Sequence, residues 1–184
     1  MKAAPLPIDV VLLAVDPRHA SAEVHTAARV VIGSRLALYP SVVEIGREPS
    51  GRPVVEGVAL SLGHSGALGV IAVADPGHAI GVDVEVVRPR LHVERMAQRM
   101  FLPHELPGWT ALDEDARLHA FLQRWTEVEA VLKARGTGVA GGFAAAVPVP
   151  DGWACAPIDA GPGFVGAVAA DTPEIVVHIR RLRR

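Results

Sequence analysis

Asp83 and Glu85 stand at alternate positions of the run Ala79-Ile80-Gly81-Val82-Asp83-Val84-Glu85-Val86-Val87. In a strand, alternate side chains share a face, so Ile80, Val82, Val84 and Val86 point one way and the two carboxylates the other, roughly 6–7 Å apart. Alone, that pattern fits an amphipathic strand with a wet outer face. A third carboxylate changes the reading. Leu118, Phe121, Leu122, Trp125, Val128 and Leu132 form an apolar stripe at helical spacing. At about 100° per residue, Glu129 falls inside that stripe. A carboxylate facing the interior must be paired, hydrogen-bonded, metal-bound or neutral. Lys133 lies one turn on, but an i,i+4 pair worth about 0.3–0.5 kcal/mol accounts for a surface better than for a packing face. Asp83, Glu85 and Glu129 together suggest one oxygen-rich site for a hard cation, Mg²⁺ or alternatively Mn²⁺, that keeps positions for water and substrate phosphates. Lys133 and Arg88, the latter just past the strand, are placed to meet such phosphates.

The elements that must position these residues are legible in outline. Ile8 to Val15 reads as a buried strand ended by Asp16-Pro17. Ser21 is the expected cap of a helix reaching about Leu38. Residues 46–53 read as a loop, Val54 to Leu62 as a strand, and Leu68 to Ala74 as another. Asp75-Pro76-Gly77-His78 has turn chemistry and predicts Ile80 to Val87 as the hairpin partner of that strand. Helices are expected over His92–Phe101 and Asp113–Ala134, the second stopped by Gly136. Strands follow at Trp153–Ile158, Phe164–Ala169 and Ile175–Ile179. The order predicts an α+β fold of two similar halves, residues 1–78 and 79–184, packed side by side.

The totals narrow the function. The chain has 184 residues, 50% of them hydrophobic and 21% charged, with a formal net charge of −2. Without a basic excess to neutralise phosphates, no general nucleic-acid binding is expected. No run of 18 apolar residues predicts a membrane span, and Val10–Val15 is too short for a signal peptide. Cys155 is the single cysteine, so neither an internal disulfide nor a cysteine zinc cage is expected, and a cytoplasmic location fits.

Four segments, in order over about residues 45 to 140, resemble the 4′-phosphopantetheinyl transferases, specifically the surfactin-type, pseudo-two-fold group. Gly51-Arg52-Pro53 is similar to that family's Gly-Lys-Pro element, and Leu60-Ser61-Leu62-Gly63-His64-Ser65-Gly66 to its Asn-x-Ser-His-Ser-Gly segment. Gly81-Val82-Asp83-Val84-Glu85 matches its Gly-(Ile/Val)-Asp-(Ile/Val)-Glu strand. Trp125-Thr126-Glu127-Val128-Glu129-Ala130-Val131-Leu132-Lys133 matches its Trp-(Ser/Thr)-x-Lys-Glu-Ala-x-x-Lys helix. The resemblance implies a monomeric enzyme with its site between two halves. It would move the phosphopantetheine arm of coenzyme A to a serine of an apo acyl or peptidyl carrier protein, with Mg²⁺ held by Asp83, Glu85 and Glu129. By the same resemblance, Arg52 and His64 contact the 3′-phosphate and neighbouring groups of coenzyme A. Lys133 and Arg88 lie near the phosphates, Arg47 adds a loop contact, and Glu129 takes the serine proton, Lys133 being the other candidate. A basic docking surface for an acidic carrier is also implied.

The sequence departs from the pattern at several places: the family's Asn is absent, with Leu60 or Ser61 near its place, and the N-terminal half is shorter than the resemblance implies. Val128 stands where the family often has lysine, Gly63 where it has serine, and the basic N-terminal helix is represented by His25, Arg29 and Arg35. These departures leave a second reading, a relative that binds coenzyme A and metal but transfers poorly. A third is a serine hydrolase using Ser65; against it, Ala67 breaks the Gly-x-Ser-x-Gly elbow and a strand rather than a helix follows. Gly136-Thr137-Gly138-Val139-Ala140-Gly141 fits the dinucleotide pattern formally but follows a helix, so it reads as a stop and a loop.

Overall fold

A computed structural model of the chain describes residues 4–89, 93–137 and 148–182. The elements run β1 (Leu6–Ala14), α1 (Ala20–Leu36), a short 3-10 turn (Pro40–Val42), β2 (Gly46–Arg47), β3 (Pro53–Val54), β4 (Ala59–Ser65), β5 (Leu68–Ala74) and β6 (Ile80–Val86). They continue with α2 (Val93–Met100), α3 (Leu106–Thr110), α4 (Glu114–Arg135), β7 (Ala154–Pro157), β8 (Phe164–Ala170) and β9 (Ile175–Leu182). The strands form a four-stranded sheet in the order β4-β5-β1-β9, a three-stranded sheet in the order β6-β8-β7, and the small pair β2-β3.

Alternation along the strands builds four layers. One face of the larger sheet, through Val11, Leu13, Ile71 and Val73, packs on Val24, Ala28, Val31 and Ile32 of α1. The other face, through Ile8, Val10, Leu12, Val70 and Ala72, packs on Ile80, Val82, Val84 and Val168 of the smaller sheet. The far face of the smaller sheet, through Ala167 and Ala169, carries Ala130 and Val131 of α4. A further apolar cluster ties α4 to α2 and α3 through Phe121, Leu122, Ala97, Met100 and Trp109. The protein is therefore a mixed α/β fold with a helix, sheet, sheet, helix order of layers.

Two features of α4 explain why it lies where it does. Asp113 caps it, its side chain accepting from the Ala116 amide at 2.8 Å, a bond worth about 1 kcal/mol. Gly81 lets it approach: a Cβ there would overlap the Ala130 carbonyl oxygen. Close contact of helix and strand thus depends on a missing side chain.

The expected hairpin of Leu68–Ala74 with Ile80–Val87 does not form. Both edges of β5 are taken, by β4 on one side and β1 on the other, each antiparallel. β6 has no edge left to join and pairs instead with β8 in the other sheet. The face of this strand that carries Asp83 and Glu85 is covered by α4. The strand expected over Val54–Leu62 runs later, as Ala59–Ser65, which puts His64 and Ser65 on a strand. Residues expected as loop contribute the short strands β2 and β3. Helix α1 begins at Ala20 after His19, with no side-chain cap, so Ser21 is inside the helix and is not its cap. The last strand crosses the expected seam, running parallel to β1 at the edge of the first sheet. Gly136 ends α4 in the left-handed region at φ 68°, as expected; residues 138–141 of the glycine pattern lie outside the described residues.

Candidate functional site

β6 and α4 bring the three carboxylates together. Gly81, Asp83 and Glu85 alternate with Val82 and Val84 and so face α4, while the valines face the neighbouring sheet. Asp83 and Glu129 are buried, at 8% and 9% exposure, and Glu85 is half-buried. Burial pushes the Asp83 carboxyl up from its ordinary value; the Lys133 ammonium opposes the rise and the Glu85 charge adds to it. Glu129 is pushed up by burial and by the charges of Asp83 and Glu85, again opposed by Lys133. Asp83 and Glu129 thus share one electrostatic environment, to which the charge of Glu85 contributes.

Side chains on the surrounding strands hold this cluster in place. Lys133 Nζ donates to Asp83 Oδ1 at 2.7 Å and to the Val82 carbonyl at 2.9 Å. Ser65 Oγ donates to Glu85 Oε2 at 2.7 Å and accepts from the Val86 amide at 3.2 Å. Ser61 Oγ accepts from the Val82 amide at 3.0 Å. The two serines of β4 thus satisfy amides on the β6 edge that turns away from β8.

The donor set suits a hard cation. Every candidate ligand atom is a carboxylate oxygen, and Asp83 Oδ2 is buried without a hydrogen-bond partner. Among the described residues, no three His, Cys, Asp or Glu side chains are arranged so that they could hold a metal ion as they stand. Mg²⁺ usually binds through one or two protein carboxylates, its other positions going to water and substrate phosphate.

Beside the carboxylates lies a cavity of about 370 Å³ with basic walls. α1 contributes His25, the β2–β3 region Arg47 and Arg52, β4 Gly63 and His64, and the end of α4 Lys133 and Gly136. Arg47 donates to the Gly51 carbonyl at 3.0 Å and its other terminal nitrogen lies 3.0 Å from His25 Nε2. His25 Nδ1 lies 2.8 Å from the Ser21 carbonyl, which makes Nδ1 the donor and leaves Nε2 to accept from Arg47. Arg52 donates to Glu48 at 2.6 and 3.1 Å and to the Ala134 carbonyl at 3.1 Å, tying the loop to the last turn of α4. The Arg52 guanidinium holds the Glu48 carboxyl below its ordinary value.

Of the residues singled out from the sequence, Arg47, Arg52, His64 and Lys133 line this cavity. Asp83, Glu85 and Glu129 lie beyond Lys133. Arg88 is exposed past the end of β6 and is not part of the cavity wall. His25, which the sequence marks only as part of a basic helix, also lines the cavity. Arg35 of the same group is engaged elsewhere, on Asp9 and Asp75. Val128, at the position where a lysine was expected, is 8% exposed in the apolar cluster with Phe121, Leu122 and Val165, so its side chain packs in the core.

A family model, the 4′-phosphopantetheinyl transferase superfamily, matches residues 79–161. That span covers the carboxylates and α4. The chain is 31% identical over 138 residues to the 4′-phosphopantetheinyl transferase AcpT of Escherichia coli, covering 74% of this chain and 68% of that protein. It is 34% identical over 118 residues to the 4′-phosphopantetheinyl transferase HetI of Nostoc sp., covering 61% of this chain and 49% of that protein. It is 32% identical over 127 residues to a putative 4′-phosphopantetheinyl transferase of Synechocystis sp., covering 66% and 51%. The chain thus spans about half the length of the latter two relatives. With this family model over residues 79–161 and a relative 31% identical matched over 68% of its length, the chain belongs to the 4′-phosphopantetheinyl transferase superfamily.

Proposed function

We propose that the protein transfers the 4′-phosphopantetheine arm of coenzyme A to a serine hydroxyl of an apo acyl or peptidyl carrier protein. The observation that carries this is the junction at Lys133, whose ammonium lines a basic cavity while bonded to the buried carboxylate of Asp83. A cavity walled by Arg47, Arg52, His25 and His64 suits the phosphates of a nucleotide, and an acidic cluster beside it suits the cation that accompanies a pyrophosphate.

In this reading the cavity binds the 3′-phosphate and adenosine end, with Arg52 and His64 on the phosphate. The pyrophosphate then lies toward Lys133. Asp83, Glu85 and Glu129 hold Mg²⁺, which when bound polarises the phosphorus under attack and stabilises the leaving oxygen. Catalysis of phosphoryl-group transfer is largely positioning plus cationic stabilisation, and Lys133 supplies a point charge for that purpose. The serine oxygen bonds to the β-phosphorus, and the bond from that phosphorus to the bridging oxygen breaks. 3′,5′-Adenosine bisphosphate departs with the bridging oxygen. Glu129 receives the serine proton, Lys133 being the other candidate. A surfactin-type arrangement, with two similar halves flanking the site in one monomer, a cytoplasmic setting and a basic surface for an acidic carrier belong to the same reading.

Intact-protein mass spectrometry of an apo carrier incubated with the protein, coenzyme A and Mg²⁺ tests it. The expected result is a gain of one phosphopantetheine that is lost with EDTA and with Glu129→Ala. No gain on several carriers, with coenzyme A still bound, would leave a coenzyme A-binding relative without transfer.

A further inference from the structure

Gly63 of β4 faces the tip of the Lys133 side chain. A Cβ at Gly63 would stand 3.1 Å from Lys133 Nζ, 3.1 Å from Val70 Cγ1 and 3.3 Å from the Val82 carbonyl oxygen. The ammonium sits against the place such a side chain would occupy while it donates to Asp83 Oδ1 and to the Val82 carbonyl. The same ammonium borders the basic cavity, so it has two places to go. Its chemical type also fits the slot. Lys2 and Lys133 are the two lysines of the sequence, every other side chain of fixed positive charge being arginine. A compact ammonium fits against backbone and glycine where a planar, five-donor guanidinium does not.

A cation seated on Asp83 Oδ1 competes with any other cation for that oxygen. It also offsets the repulsion among Asp83, Glu85 and Glu129 when nothing else does. Resting on the metal reading of those carboxylates, we propose that Gly63 is a positioning residue that makes Lys133 a tethered, exchangeable cation. The ammonium occupies Asp83 in the metal-free protein, yields it to the divalent ion, and turns into the cavity toward a ligand phosphate. Because the coupling is reciprocal, the lysine weakens metal binding as much as the metal weakens the lysine's hold. Gly63→Ala or Gly63→Ser crowds the slot, so that Lys133 or Val70 must give by a few tenths of an ångström and the ammonium's hold on Asp83 loosens.

Mn²⁺ titration calorimetry without coenzyme A, on the wild type, Gly63→Ala, Lys133→Met and the double variant, reads this coupling. Lys133→Met is expected to bind Mn²⁺ about tenfold tighter than the wild type, Gly63→Ala several-fold tighter, and the double variant no tighter than Lys133→Met. A parallel readout is the side-chain ammonium signal of [¹⁵N]lysine-labelled protein, assigned by its loss in Lys133→Met. It should move on adding Mg²⁺ and should move similarly in metal-free Gly63→Ala. If Mn²⁺ binds but Gly63→Ala changes its affinity equally in both backgrounds, the glycine acts through Val70 and the strand backbone, and the proposal is wrong. An ammonium signal indifferent to Mg²⁺ overturns it as well. If no variant binds Mn²⁺, the metal reading of the carboxylates fails and this inference falls with it. Should Gly63→Ala not fold, Lys133→Met and the wild-type ammonium signal decide the matter by themselves.

Discussion

Ser65 and Glu85 are joined across two sheets, the serine hydroxyl donating to the carboxylate at 2.7 Å while accepting from the Val86 amide at 3.2 Å. His64 precedes Ser65 on the same strand, so its side chain points to the opposite face and is exposed. Ser65, the residue on which the hydrolase reading rests, thus acts as a brace for Glu85. Ser65→Ala should strand the Val86 amide at a cost of about 1–2 kcal/mol, lowering the melting temperature by about 2–8 °C. Divalent-cation affinity should fall several-fold as Glu85 loses its tether. A fluorophosphonate probe should leave the wild type unlabelled, and labelling at Ser65 would restore the hydrolase reading.

Gly81 governs how closely α4 approaches β6. A methyl group there would overlap the Ala130 carbonyl oxygen and crowd the Ala134 amide nitrogen. Backbone atoms of a capped helix cannot move aside independently, so the whole helix must shift. Gly81→Ala should cost about 2–3 kcal/mol, typical of overpacking, and lower the melting temperature by about 4–12 °C. Because Glu129 and Lys133 ride on the same helix, the Lys133–Asp83 bond should lengthen with it. A variant with unchanged melting temperature and unchanged cation affinity would mean that the helix does not register the strand in this way.

The carboxylates were legible in the sequence because charge in the wrong place is a strong signal. Glu129 inside an apolar helical stripe announces its burial, and the structure has it 9% exposed. The pairing of strands was not legible. β5 and β6 are separated by good turn chemistry, yet whether they pair depends on β1, a strand more than 50 residues earlier that already holds the available edge of β5. Nor could spacing show that β9 returns to lie beside β1, because edge pairing leaves little trace in an eight-residue strand. The roles of Gly63 and Gly81 depend on what approaches them from distant segments. Glycine in a strand hints at close approach but does not name the neighbour. Val128 shows the reverse error: the motif suggests a missing charge, whereas the helix phase puts that position in the core.

The raised carboxyl of Glu129 has a consequence for stability. Burial, then the charge of Asp83, lifts it above the ordinary value of 4.5. Between that value and the raised one, the folded protein holds a proton that the unfolded chain has released. Stability therefore falls as pH rises through this window, and the penalty persists above it. Asp83 contributes in the same direction. In EDTA, the urea midpoint should decline from pH 5 to pH 8, and Glu129→Gln should flatten part of that decline and raise the midpoint at pH 8. Saturating Mg²⁺ should do the same for the wild type by favouring the ionised carboxylates. An identical slope in Glu129→Gln would show that this carboxyl is not charged and buried together in the folded state.

Arg52 has already committed three of its five donors, two bonds to Glu48 and one to the Ala134 carbonyl, and it still lines the cavity. Two donors remain for a ligand, so a phosphate can bind without breaking the tie between the loop and α4. The fixed fork is pre-oriented by Glu48, which lysine at this position could not reproduce. Arg52→Ala should weaken coenzyme A binding about 10- to 100-fold, the range expected for one to two charge-assisted hydrogen bonds. Arg52→Lys should recover only part of that loss. Glu48→Gln, which keeps the shape but loosens the pairing, should weaken binding by less than Arg52→Ala. The ground-state contact predicts a rise in KM for coenzyme A with kcat nearly constant. Calorimetry of coenzyme A binding and the separation of KM from kcat check this together. A loss confined to kcat would instead make Arg52 a residue felt in the transition state, and would move the phosphate it contacts from the 3′ position to the pyrophosphate.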